Sequence, residues 1–136
     1  MTENADLIRK MNDAFNQGDV VEVMRFYAPD AEVRDLANAP DQPAVITGID
    51  AIRDAWTLWA GAFDELQVDI EELSDDGDAV IVKAHWHGIG KASGMSIDVR
   101  QFDLYELEGG RVIRMTLGLK TLGDAQAATL GNRPDT

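Results

Sequence analysis

The dominant hydrophobic period of this chain changes close to residue 65. Ahead of that point apolar side chains recur every three to four residues; beyond it they alternate. A period near 3.6 buries one stripe of a helix, and a period of two buries one face of a strand. The switch therefore separates a helical first half from a sheet-forming second half. In 136 residues that order specifies one α+β domain, with helices on one face of a curved, mostly antiparallel sheet.

In the first half, Leu7, Ile8, Met11, Ala14 and Phe15 share a helical stripe that Gly18 stops. Asp19 with Glu22 forms a capping pair for a second, shorter helix, on which Val20, Val21, Met24 and Tyr27 share a face. Pro29 disfavours helical geometry at Ala28 and ends that helix. Ala31 to Asp35 alternates as a brief strand, and 36–47, with Pro40 and Pro43, reads as an irregular loop able to rim or cover a pocket. Thr47 and Asp50 have the spacing of a capping box. The helix they open places Ile49, Ile52, Trp56, Trp59 and Phe63 on one face, as core or as an aromatic pocket wall.

In the second half, strands are expected at 66–71, 79–90, 95–107 and 111–120, joined by turns at 75–78, 91–94 and 108–110. A terminal helical turn at 124–130 and a tail at 131–136 follow, so a single domain spans 1–136 with its core at 6–130. The third long strand carries Val99, Tyr105 and Leu107 on one face and Phe102 and Leu104 on the other. Apolar groups on both faces call for two covers. The expected second cover is another copy of the chain, giving a homodimer through the convex sheet face.

Charge and composition exclude several functions. With 25 acidic against 12 basic residues the formal charge is −13, which repels phosphate backbones and anionic lipid. No nucleic-acid or membrane partner is expected. The absence of cysteine removes disulfides, thiolate nucleophiles and zinc–thiolate sites. The opening residues lack a secretory signal, and no apolar run approaches the ~18 residues of a membrane span; the expected location is cytoplasmic. Gly88, Gly90 and Gly94 do not form a nucleotide fingerprint, and no cofactor is expected. His85 and His87 flank Trp86 on one strand face. As a pair they lack a third ligand, so no metal is assigned to them. They lie either in a pocket or, if Val80, Val82, Ala84 and Trp86 face inward, on the opposite sheet face.

Four segments, Ala14–Asp19, Phe26–Val33, Thr47–Arg53 and Gly109–Arg114, resemble in sequence and order the SnoaL-like family. That family lies in the nuclear-transport-factor-2-like, ketosteroid-isomerase-like superfamily. The resemblance runs from about Asp6 to Leu130 and implies a cone-shaped α+β barrel around an apolar pocket. It places Asp35 at the position of the isomerase base. With one gap in the 108–110 turn, it places Asp103 at the position of a second acid. The pattern's catalytic tyrosine falls on Met11.

Residues 115–120 hold no acid, which departs from the polyketide-cyclase and epoxide-hydrolase patterns. Scytalone-dehydratase-like relatives suggest a further pairing of His85 with Asp35. Asp98 and Arg100, on one strand face, read as a surface ion pair. Together these features imply a cofactor-independent proton-transfer enzyme of isomerase, cyclase or dehydratase type. Asp35, Asp103 and His85 are its catalytic candidates. Phe15, Tyr27, Trp56, Trp59 and Tyr105 would hold a small apolar or carbonyl-containing molecule. A non-catalytic binding or adaptor domain of the same fold is the alternative.

Overall fold

The computed structural model describes residues 3–36, 44–76, 78–91, 94 and 96–129. The elements run α1 Glu3–Asn16, α2 Val20–Met24, β1 Tyr27–Asp35, β2 Ala44–Thr47, α3 Ile49–Ala62, β3 Phe63–Asp76, β4 Ala79–Gly90, β5 Ser96–Glu108, β6 Arg111–Leu119 and α4 Leu122–Ala128. Six strands form one mixed sheet in the order β2-β1-β6-β5-β4-β3. The sheet is curved and open, with β2 and β3 at its edges. Helix α3 touches both edge strands as well as β1, and α1 lies against β3 and β4. Most of the rim loop expected at 36–47, with Leu130 and the 131–136 tail, lies outside the described residues.

Local signals hold where nothing competes with them. Ile8, Met11 and Ala14 are buried along α1. Gly18 ends the turn after α1 at φ 75°, in the left-handed region that glycine adopts without a Cβ penalty. The Asp19 carboxylate accepts from the Glu22 N–H at 3.1 Å and caps α2. Asn16 then ties helix to sheet. Its amide donates to the Val68 carbonyl at 2.9 Å and accepts from the Val68 N–H at 2.8 Å. This satisfies backbone groups on edge strand β3 that would otherwise invite pairing with another chain.

Two local readings give way to pairing. Tyr27, whose spacing places it on the second helix, instead begins β1. The Val112 N–H donates to the Phe26 carbonyl at 2.7 Å, and Tyr27 pairs with Val112 in a parallel ladder of β1 with β6. The helix closes three residues before Tyr27, at Met24. Thr47 does not cap α3 either: it pairs with Glu32 as the last residue of β2, and Gly48 occupies the cap position without a side-chain bond. A strand thus replaces the end of the expected loop.

The helix-side face of the sheet packs on one large core that includes Ile8, Tyr27, Ile52, Trp56, Trp86 and Leu107. A second cluster of Ile81, Leu104, Leu119 and Ala125, with Phe102 and Ala128 against it, lies on the other face. Helix α4 of the same chain therefore covers the outward apolar groups of β5 that motivated a second copy. A buried ion pair fastens this cover. Arg114 Nε meets Glu106 at 2.7 Å, and an Arg114 Nη donates to the Ala128 carbonyl at 2.6 Å.

Candidate active site

Alternation along β5 turns Ile97, Val99, Gln101, Asp103, Tyr105 and Leu107 toward the helix side. Opposite Asp103 the register of β6 breaks: Phe102 pairs with Leu119 and Leu104 with Thr116, so two residues of β6 oppose one of β5. Gly118, at φ 81°, occupies this bulge. Its N–H leaves the ladder direction and donates to Asp103 Oδ1 at 3.1 Å. Gln101 Nε2 donates to the same oxygen at 2.8 Å, and Trp86 Nε1 donates to Oδ2 at 2.9 Å. Three neutral donors from three strands converge on one carboxyl with no exposed surface.

That burial pushes the Asp103 carboxyl up to about 6, against the three hydrogen bonds that favour its ionised form; the nearby Asp35 charge raises it further. The influence extends inward. Tyr105 and Tyr27 are both raised, chiefly by burial, with Asp103 adding to each. The Tyr27 hydroxyl meets Met115 Sδ at 3.2 Å.

Two cavities flank Trp86. The larger is a cleft of about 450 Å³ lined by Asp35, Trp59, Trp86, Val99, Gln101 and Gly118, among others. This volume suits a small organic molecule. All three residues that hold Asp103 line it, so the buried carboxyl sits directly beneath its floor. The other cavity, of about 20 Å³, is lined by Met11, Phe15, Tyr27, Trp56, Trp86, Tyr105 and Met115, with room for about one water molecule.

The structure thus brings Asp35, Asp103 and Trp59 together at the cleft. It places Phe15, Tyr27, Trp56 and Tyr105 around the smaller cavity. Aromatic packing closes that space. Phe15 meets Trp56 and Trp86, and Trp59 meets the same two rings, all edge-on at centroid distances of 5.7–6.4 Å. Each such contact adds roughly 0.5–1.5 kcal/mol beyond its buried area, so admitting a ligand there requires breaking several of them.

His85 is separated from both acids. Trp86 faces inward, so His85 and His87 project from the opposite sheet face, and the expected pairing of His85 with Asp35 does not form. His85 Nε2 meets Asp98 at 2.6 Å and His87 Nε2 meets Asp69 at 2.8 Å. The Asp98–Arg100 pair expected from strand spacing is replaced as well: Arg100 Nε donates to both Glu71 carboxylate oxygens, at 3.1 and 3.2 Å. Gln101 and Gly118 are site residues that sequence reasoning missed. Gln101 shares the strand face of Asp103 two residues on, and an isolated glycine within a strand is a sign of a bulge.

The SnoaL-like domain model matches residues 8–115; this chain belongs to the SnoaL-like family. An uncharacterised protein of Mycobacterium tuberculosis is 28% identical over 119 residues, covering 85% of this chain and 89% of that protein. Crystal structures share the fold at lower identity. A protein of ketosteroid-isomerase-like fold from Catenulispora acidiphila, in complex with trimethylamine, superposes with a TM-score of 0.73 at 18% identity, covering 89% of each chain. A proposed SnoaL-like polyketide cyclase from Jannaschia sp. CCS1 gives 0.72 at 22% identity, covering 84% of this chain and 83% of that one.

Proposed function

We propose that this chain is a cofactor-independent proton-transfer enzyme of isomerase or cyclase type, acting on a small apolar carbonyl compound bound in the cleft. The observation that carries this reading is Asp103. It is a fully buried carboxyl raised to about 6, beneath a cleft whose wall bears a second carboxylate, Asp35. Asp35, partly exposed at that wall, takes a proton from the carbon next to the substrate carbonyl. The electron pair of the broken C–H bond moves onto the carbonyl oxygen. An apolar substrate displaces water from the cleft and raises Asp103 further, so its carboxyl stays protonated beneath the cleft floor and places no negative charge against the developing enolate. Return of the proton from Asp35 to a different carbon completes an isomerisation; in a cyclisation the enolate carbon attacks a second carbonyl, and the alkoxide that forms takes the proton back from Asp35.

The test is deuterium uptake from D2O into small cyclic β,γ-unsaturated ketones, followed by NMR. Exchange catalysed by the wild type and reduced about 10²–10⁴-fold in Asp35→Asn supports the reading. Ketones that bind without exchanging identify a non-catalytic binding domain instead.

A further inference from the structure

The convex face of the sheet, away from the cleft and from helix α4, carries a cluster that proton transfer does not use. His85 and His87 lie two apart on β4, so both imidazoles leave the same face, with ring centroids 4.8 Å apart. Neighbouring strands bring a carboxylate to each side. Asp69 of β3 stands opposite His85 but meets Nε2 of His87 at 2.8 Å. Asp98 of β5 stands opposite His87 but meets Nε2 of His85 at 2.6 Å. This crossed pairing turns the same nitrogen of both rings toward the two acids. One ligand atom each from Asp69, His85 and His87 lies within 4.8 Å of the others.

We infer that Asp69, His85 and His87 form a binding site for a divalent first-row transition cation of the Zn²⁺ class, with Asp98 as the fourth ligand. Two neutral imidazoles and two carboxylates supply two negative charges, the number that one such cation balances. Mixed nitrogen and oxygen donors favour zinc, cobalt, nickel or copper over magnesium and calcium, which take oxygen alone.

The geometry is within reach of the side chains. Ligand bonds of about 2.0–2.2 Å place tetrahedral donors about 3.4 Å apart. The two contacting His–Asp pairs open slightly, and the widest separation among Asp69, His85 and His87 closes by roughly 1.4 Å. The side chains concerned are free to move this far: those of Asp69 and Asp98 are 60% and 67% exposed, and those of His85 and His87 are 19% and 38% exposed. The Arg100 guanidinium, opposite His85, is engaged elsewhere, held by Glu71. The net charge of −13 raises the local concentration of any divalent cation. Spacing on β4 reveals two ligands; only the pairing of β3 and β5 with β4 supplies the others.

The test is calorimetric titration of ZnCl2 into the tag-free, EDTA-stripped full chain at neutral pH. Binding of one Zn²⁺ per chain is expected, weakened about 100-fold or more in His85→Ala and in His87→Ala, and at least about tenfold in Asp98→Asn. Co²⁺ substituted at the site should give the intense visible bands of a four-coordinate ion, and these should be absent from His87→Ala. Circular dichroism confirms folding, and His→Gln variants replace any alanine variant that fails it. Failure of the wild type to bind Zn²⁺ overturns the inference. So does Zn²⁺ binding that survives loss of both histidines, which would reflect only the acidic surface.

Discussion

The indole N–H of Trp86 donates to Asp103 Oδ2 at 2.9 Å, so the side chain that walls the cleft also holds the buried acid beneath it. Trp86 belongs equally to the aromatic cluster that fills the cone. Core packing and the electrostatics of the candidate site therefore share one residue, and perturbing either should register in the other.

Asp103 should make stability fall as pH rises. Its folded value of about 6 lies above the ordinary aspartate value of 3.8, so between those limits the native state binds more protons than the unfolded one. The contribution is fully present below about 3.8 and lost as pH passes about 6, a change of about 3 kcal/mol. Other carboxylates act in the opposite sense. The quantity to measure is thus the urea-unfolding free energy of wild type minus Asp103→Asn, from about pH 4 to about pH 7. A flat difference would show that Asp103 is not raised.

Trp86→Phe removes a donor that favours the ionised carboxyl, so the Asp103 titration observed by ¹³C NMR should move above about 6. A hydrogen bond to a charged group contributes about 1.5–3 kcal/mol. The variant should therefore lose more stability above that pH than below it.

Gly118→Ala tests the bulge. At φ 81° an alanine costs about 1–2 kcal/mol, and relaxation toward negative φ would turn the N–H away from Asp103 Oδ1. The expected outcome is lower stability together with a higher Asp103 titration point. Lower stability alone would mean that the N–H holds its aim under strain.

Asp35→Asn should shift the Asp103 titration down, because a neighbouring negative charge is removed. In the ketone exchange assay the same variant should lose about 10²–10⁴ in rate. Unchanged exchange in a folded Asp35→Asn protein would exclude Asp35 as the base.

Arg114→Ala removes the ion pair to the buried Glu106 carboxylate and frees the Ala128 carbonyl from the Arg114 guanidinium. Breaking such a pair costs about 3–5 kcal/mol. Chemical denaturation should show that loss, and hydrogen exchange should show α4 opening first. Retention of wild-type stability would mean that water reaches Glu106 in solution.

Much of the container was legible because its signals are local. The period change near residue 65, the glycine stop at 18 and the Asp19 cap each depend on neighbours a few residues away. The same locality misplaced Tyr27, whose helical spacing was outweighed by pairing with Val112, 85 positions away. It also assigned the cover over Leu104 to a second copy, since a seven-residue helix beyond the last strand has too weak a pattern to reveal what it lies on.

Sequence alone determined the α+β class and the strand boundaries within a residue or two from β4 onward, and the family resemblance marked Asp35 and Asp103 as the acids to examine. Alternation also implied that the histidines and Trp86 lie on opposite faces, without saying which face is inward. The tertiary structure decided that Trp86 points in, that Gly118 turns its N–H onto Asp103, and that the aromatic residues of the expected pocket mostly pack against one another. The physical reason is that strand register and a bulge are set by hydrogen bonds between distant segments. Those bonds determine which donors meet a buried carboxyl, and through them how readily that carboxyl gives up its proton.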